Sequence, residues 1–355
     1  MYLLELLSAG AMAILGQSGL LIGPIDTLIV ATTAGTIEHV VDPTGRTSTE
    51  ATIVVSCAEG VRDVVMDVDG RTVYWVTQTE LKSAPSTLAP GDDCEGATST
   101  LYDEGQDIKS LSHSSANNML YFADAGRGSL MRYVPSSGRT TALVDDEGVF
   151  GVGVDVERDL LFWTANYADG SAKLRYSSID GDDVRDAFSY GPLDDRRLYG
   201  LTMEKHELFF VVWRGSREVA IQAILNITQA DDVELATTSS AAEAVRYMAM
   251  DDGIDRVFFN QELDNYVMTS LIRYDDPTRI HQDQTSVTFT DRTPLGMQYV
   301  HDAFFAQDAE LDGNSGAGDD SGNDDSGGDS GDSGAAGHAA LASAALLAGC
   351  AVLFL

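Results

Sequence analysis

Three basic and two aromatic residues fall 41 to 49 positions apart along this 355-residue chain: Arg62, Lys109, Phe150, Tyr199 and Arg246. Each stands immediately before a four-residue core such as Asp63-Val64-Val65-Met66 or Gly151-Val152-Gly153-Val154, and Leu295 holds a sixth position in the same register. Arginine and aromatic side chains carry much of the binding energy at interfaces. Brought together, these residues would receive an anionic peptide or glycan. The competing reading pairs the basic ones with nearby carboxylates such as Asp63. Groups for catalysis are not evident: there is no G-x-S-x-G turn, phosphate-binding loop, H-E-x-x-H pair or zinc-type cysteine set. The histidines are scattered, at 39, 113, 206, 281, 301 and 338. His113 stands between Ser112 and Ser114, yet a triad built there uses only residues common by chance, and a histidine satisfied locally is the plainer reading. Neither a metal set nor a cofactor is expected.

Something periodic must position those residues. A pair of large apolar residues ends a short alternating run six times, as Tyr74-Trp75, Tyr121-Phe122, Phe162-Trp163, Phe209-Phe210, Phe258-Phe259 and Phe304-Phe305. The intervals are 47, 41, 47, 49 and 46, and a weaker copy, Leu28-Ile29, lies 46 residues before Tyr74. A period of 40 to 50 residues made of short strands marks a β-propeller. Before the pairs runs a strand ending in an acidic or polar residue, as in Val64-Val65-Met66-Asp67 or Val152-Gly153-Val154-Asp155, then a turn rich in Asp, Gly, Arg and Asn. A third strand follows, as in Leu130 to Val134 or Leu174 to Ile179, and a weaker fourth, as in Thr141 to Val144. Four short strands make one blade. The fold expected is all-β, a six-bladed β-propeller of four-stranded blades over residues 24–307. Six blades result if Gly296 to Val300 joins the Leu28 unit and closes the ring, leaving Phe304-Phe305 as an extra or docking strand; seven would need a strand from residues 1–22.

The runs Tyr74-Trp75-Val76-Thr77, Tyr121-Phe122-Ala123-Asp124 and Phe162-Trp163-Thr164-Ala165, with Gly151 to Asp155 before the last, resemble the YWTD repeats of low-density lipoprotein receptor-type six-bladed propellers. The resemblance covers roughly residues 25–307. Only Asp124 keeps the fourth-position Asp, and no cysteine-rich module flanks the repeats. The resemblance implies a β-propeller and, as partner, an extracellular protein or glycan. A second reading is an enzyme of the gluconolactonase or strictosidine-synthase type, with a channel metal for which Asp67, Asp155 and Asp251 are superficially suited. A third is a structural coat protein.

The net charge is −34. Nine acids and no Lys or Arg follow residue 307, and the remainder still carries −25. Phosphate backbones need a basic surface, so nucleic acid is not an expected partner. Such acidity favours solubility and attracts cations. Of three cysteines, Cys350 lies in the last apolar run; Cys57 and Cys94 remain, as a disulfide in an oxidising compartment or as two buried thiols.

Both ends point to the cell surface. Residues 1–22 are apolar enough for a secretion signal, with Ala9-Gly10-Ala11 as a small-x-small cleavage site, though Glu5 interrupts them and no basic residue precedes Arg46. Residues 308–338, almost wholly Gly, Asp, Ser and Ala, read as a disordered acidic stalk. Residues 339–355 are apolar and uncharged. With Ser330 as the attachment residue (Ser326 and Ser333 are alternatives), Gly331 to His338 is a polar spacer, and the whole has the pattern of a glycosylphosphatidylinositol signal. The alternative is a tail anchor in the membrane. Asn226-Ile227-Thr228 is the one glycosylation sequon.

Overall fold

The computed structural model describes residues 14–16, 19–41, 51–88, 92–204, 207–214, 218–224, 247–251, 256–260, 266–271, 281–289 and 291–306. Arg246, Asn226, Ser330, the stalk and the apolar tail lie outside them. Successive side chains of a strand point to opposite faces. A strand with two adjacent large apolar residues must therefore be covered on both faces, and short sheets packed face to face meet that demand.

Among the described residues the strands form six sheets. The first contains β1 (Ile14–Gly16), β2 (Gly19–Thr32), β3 (Ile37–Val41) and β4 (Thr52–Val55). The second contains β5 (Asp63–Asp67), β6 (Thr72–Val76), β7 (Leu81–Pro85) and β8 (Ser99–Tyr102), with the short helix α1 (Cys94–Ala97) before β8. The third runs β9 (Ile108–Ser114), β10 (Met119–Asp124), β11 (Ser129–Val134) and β12 (Arg139–Asp145). The fourth runs β13 (Val149–Asp155), β14 (Leu160–Asn166), β15 (Ala172–Ser177) and β16 (Arg185–Tyr190). The fifth shows β17 (Arg196–Glu204), β18 (Glu207–Arg214) and β19 (Glu218–Ile224). The sixth has β20 (Met248–Asp251), β21 (Arg256–Asn260), β22 (Tyr266–Leu271) and β23 (His281–Thr288). The last strand, β24 (Pro294–Ala306), returns to pair with β2 in the first sheet. The expected joining of residues 296–300 to the Leu28 unit is thus seen, with Tyr299 opposite Leu28 and Gln298 opposite Ile29.

The innermost strands β24, β5, β9, β13, β17 and β20 touch one another in that cyclic order. Together they line one central cavity of about 130 Å³. This is a propeller-like arrangement of four-stranded blades. Five aromatic pairs sit on second strands, β6, β10, β14, β18 and β21, and all ten side chains are buried. Phe304-Phe305 does not form a separate strand. It continues β24, with Phe305 opposite Ile22, and residues 14–16 and 19–22 of the expected leader lie in β1 and β2.

The two members of a pair serve different neighbours. Tyr74 shares a buried cluster with Phe122 of the third sheet, whereas Trp75 packs with Ile29 and Ile37 of the first. In the same way Tyr121 meets Trp163, and Phe162 meets Phe210. This alternation corrects the weak copy by one residue. Ile29 faces Trp75, while Leu28 and Val30 both face Phe258, so the equivalent pair is Ile29-Val30.

Cys57 and Cys94 form a disulfide, with Cα atoms 5.9 Å apart. It ties the segment after β4 to α1, and so the first sheet to the second. Closing a loop of 37 residues stabilises the fold by about 4 kcal/mol in the chain-entropy model. Replacing both cysteines by serine is expected to lower unfolding stability by about that amount, read as a drop in the denaturant midpoint. An unchanged midpoint contradicts the bond.

Candidate functional site

The residues singled out by register sit at the starting ends of the innermost strands, and second-strand polar side chains hold those ends in place. Asp124, fully buried at the end of β10, accepts the backbone N–H groups of Gln106 (3.1 Å), Asp107 (3.0 Å) and Arg127 (3.2 Å). Asn166, at the end of β14, donates to the Leu198 carbonyl at 2.6 Å and accepts the Leu198 N–H at 2.8 Å. Asn260, at the end of β21, accepts the Tyr247 N–H at 3.1 Å and donates to the Pro294 carbonyl at 2.8 Å. These bonds fix the backbone beside Lys109, Tyr199 and Leu295. A buried polar group needs such partners, and here the partners are the entry segments.

Arg62 and Lys109 converge on one carboxylate. Arg62 Nη1 donates to Asp107 Oδ1 at 2.7 Å and to the Ile108 carbonyl at 2.8 Å. Lys109 Nζ lies 2.7 Å from Asp107 Oδ2. All three side chains are about 30% exposed, being 27%, 27% and 32% accessible. Burial alone would raise the Asp107 carboxyl, but hydrogen bonds from Lys109 and Arg62 and their charges outweigh it and hold it below the usual carboxylate range. The acid that pairs with these bases is Asp107 rather than the neighbouring Asp63.

Phe150 and Tyr199 also meet. Their rings lie edge to face, centroids 4.9 Å apart and planes at 89°. Trp213 of β18 extends the group, 4.6 Å from Tyr199 at 51°. Such arrangements suit the ring quadrupole. The three rings are half-buried. The structure therefore brings four of the five candidates together, as a charged pair and an aromatic pair; Arg246 lies outside the described residues. Ser110, beside Lys109, donates to the Phe150 carbonyl at 2.7 Å and so links the two groups. Leu295 instead packs against the core between the first and second sheets. Phe150 lines the central cavity; Arg62, Lys109 and Tyr199 do not, and stand at its rim.

Asp107 and Trp213 were not singled out from the sequence. Asp107 stands two residues before Lys109, a spacing that could have drawn attention to it; Trp213 carries no such signal. Asp67 and Asp155, suited on paper to a channel metal, cap turns at the opposite ends of their strands, accepting N–H groups of Gly70 at 3.0 Å and Arg158 at 3.1 Å. Among the described residues, no three His, Cys, Asp or Glu side chains gather as metal ligands.

Solved structures with similar folds exist. The chain aligns with a chain in the crystal structure of a nidogen/laminin complex over 77% of its own length and 98% of the other, at 15% identity and TM-score 0.61. It aligns with TolB from Acinetobacter baumannii over 78% of this chain and 66% of that one, at 13% identity and TM-score 0.55. A protein from Lactobacillus plantarum matches over 81% and 87%, at 14% identity and TM-score 0.51. At such identities the likeness shows the β-propeller fold. No protein-family model and no curated protein matches the chain.

The Asp107 carboxyl has a folded pKa below its unfolded value. Its stabilisation is therefore present above the unfolded value near 3.8 and is lost as pH falls through the folded value. Asp107→Asn is expected to lower the melting temperature at pH 7, where it leaves Arg62 beside Lys109 without a counter-charge. The gap should close as the pH drops below about 4. A gap that persists at pH 3 would show that the ion pairs are not its source.

Proposed function

We propose that this chain is a cell-surface binding module: a six-bladed YWTD-type propeller whose channel mouth takes an extracellular protein or glycan bearing anionic groups. The observation that carries this reading is the meeting of Phe150, Tyr199 and Trp213 at the strand entries next to Arg62 and Lys109. Rings provide apolar area at low entropic cost, and arginine provides directed donors. Two cations on one carboxylate leave one positive charge at the rim of a chain carrying −34. A partner carboxylate or sulfate would compete with Asp107 for them. A propeller of similar fold was crystallised as part of a nidogen/laminin complex, which supports a protein partner. Arg246 completes the mouth in this reading. Secretion, glycosylation at Asn226, the acidic stalk and a lipid anchor at Ser330 place the mouth outside the cell, held off the membrane.

A binding assay against arrayed extracellular proteins and acidic glycans tests the site. The Phe150→Ala/Tyr199→Ala and Arg62→Glu/Lys109→Glu variants are each expected to lose about tenfold or more in affinity for any saturable partner. Arg139→Glu, on the exposed edge strand β12, should bind as the natural chain does. Equal binding by all folded variants would place the partner elsewhere on the propeller.

A further inference from the structure

Among the described residues, one acid that lines the central cavity has no counter-charge. Asp63 is only 8% exposed and lines the cavity of about 130 Å³. Its Oδ1 accepts the Val64 N–H at 3.0 Å and its Oδ2 accepts the Leu111 N–H at 2.9 Å. The nearest base in sequence, Arg62, is committed to Asp107 and the Ile108 carbonyl. Other buried acids are treated differently. Arg292 pairs with Glu38 at 2.7 Å and Arg175 with Asp146 at 2.8 Å; Arg127 approaches Asp124 to 3.7 Å and Arg158 approaches Asp155 to 3.8 Å. Asp67 has no such partner but caps a turn at the far strand end. Among the described residues Asp63 has neither a basic partner nor a turn to cap, and it lines the channel.

The rest of the described lining is rich in neutral oxygen. Ser110, Ser112, Thr202 and Gln298 are among its lining residues; Ser110 Oγ donates to the Phe150 carbonyl and Gln298 Oε1 accepts the Met66 N–H, and each of these oxygens keeps a free lone pair. The free edges of the innermost strands add backbone groups that no further strand pairs. Among the described lining residues Asp63 is the single acid and His113 the single base. Burial holds the His113 imidazole below its usual pKa, against the hydrogen bonds it donates to Asn118 Oδ1 and the Met66 backbone and the charges of Asp67 and Asp69, so it is neutral near pH 7.

We propose that the central cavity is a binding site for one small monovalent cation, an alkali-metal or ammonium ion, held by Asp63 and the neutral oxygens around it. One carboxylate among neutral oxygens balances one positive charge. A divalent ion would call for more acids, and none stand there among the described lining residues. The carboxyl itself bears the mark of a missing partner: burial pushes it up to about 7, with the Leu111 and Val64 N–H bonds opposing. A chain of net charge −34 also raises the local concentration of cations. This site is separate from the rim and does not depend on the partner proposed there.

Thermal unfolding of the purified full chain tests the proposal. Sodium, potassium and ammonium chlorides are compared at constant ionic strength, each balanced with the bulky N-methylglucamine chloride. At least one small cation is expected to raise the midpoint by about 2–4 °C per tenfold increase beyond half-saturation. The three salts separate alkali from ammonium binding. Asp63→Asn should abolish the response. An equal response in that variant, or none in the natural chain, overturns the site. Should Asp63→Asn fail to fold, crystals of the natural chain soaked in thallium decide: an anomalous peak beside Asp63 supports the proposal, and a channel without one overturns it.

Discussion

The two side chains of each aromatic pair leave their strand on opposite faces, and every blade therefore depends on two neighbours. Tyr74 serves the third sheet and Trp75 the first, so the second sheet alone would expose both. Exposing a large buried side chain costs about 1.5–3 kcal/mol. Two such losses on a four-stranded unit leave little to stabilise it. The only arrangement in which no blade lacks a neighbour is a closed ring. The return of β24 to β2 meets that requirement by placing the last strand in the first sheet. Apolar packing thus sets the architecture before any polar contact is considered.

Polar contacts then turn a closed ring into one with a defined mouth. Asp124, Asn166 and Asn260 act at the ends of second strands, where the chain leaves the apolar interior and backbone groups need partners. Because they bond to entry segments, the residues that follow those segments have fixed positions at the rim. The join between the first and second sheets is held by more than apolar contact. The disulfide crosses it, Gln298 Oε1 accepts the Met66 N–H at 2.6 Å, and Gly296 donates its N–H to the Arg62 carbonyl at 3.0 Å. A side chain at Gly296 would collide with Asp63, so glycine there permits the close approach of β24 to β5. The first and last described strands meet in the first sheet, and covalent cross-linking beside it restrains the place where an open ring would fray first.

The propeller was legible in the sequence because period and alternation are both linear signals. Tyr74-Trp75 and its successors mark second strands directly, and Gly296 to Val300 could be assigned to the Leu28 unit from register alone. The limits came where the signal is not linear. Ile29-Val30 is aliphatic, and a one-residue frame error is invisible until Trp75 shows which side Ile29 faces. At the rim, register identified Arg62, Lys109, Phe150 and Tyr199 as neighbours. It could not show that Asp107 would take both bases, because that depends on how Asp124 turns the entry segment. Trp213 is far from Phe150 in sequence and reaches the rim only through the pairing of β18 with β17. Leu295 shares the register but not the role, since its side chain is drawn into the core beside β5.

Arg62 and Asp63 are adjacent in sequence and both reach toward β9, yet they take different partners. Arg62, just before β5, bonds Asp107 and the Ile108 carbonyl, while Asp63, the first residue of β5, lines the channel and accepts the Leu111 N–H. The positive charge is presented at the rim and the negative charge is kept inside. In a low-dielectric channel the uncompensated carboxylate is costly, whereas the cations at the rim are half in water and already share one acid. The rim thus favours an anionic group arriving from outside, and the channel below it favours a small cation.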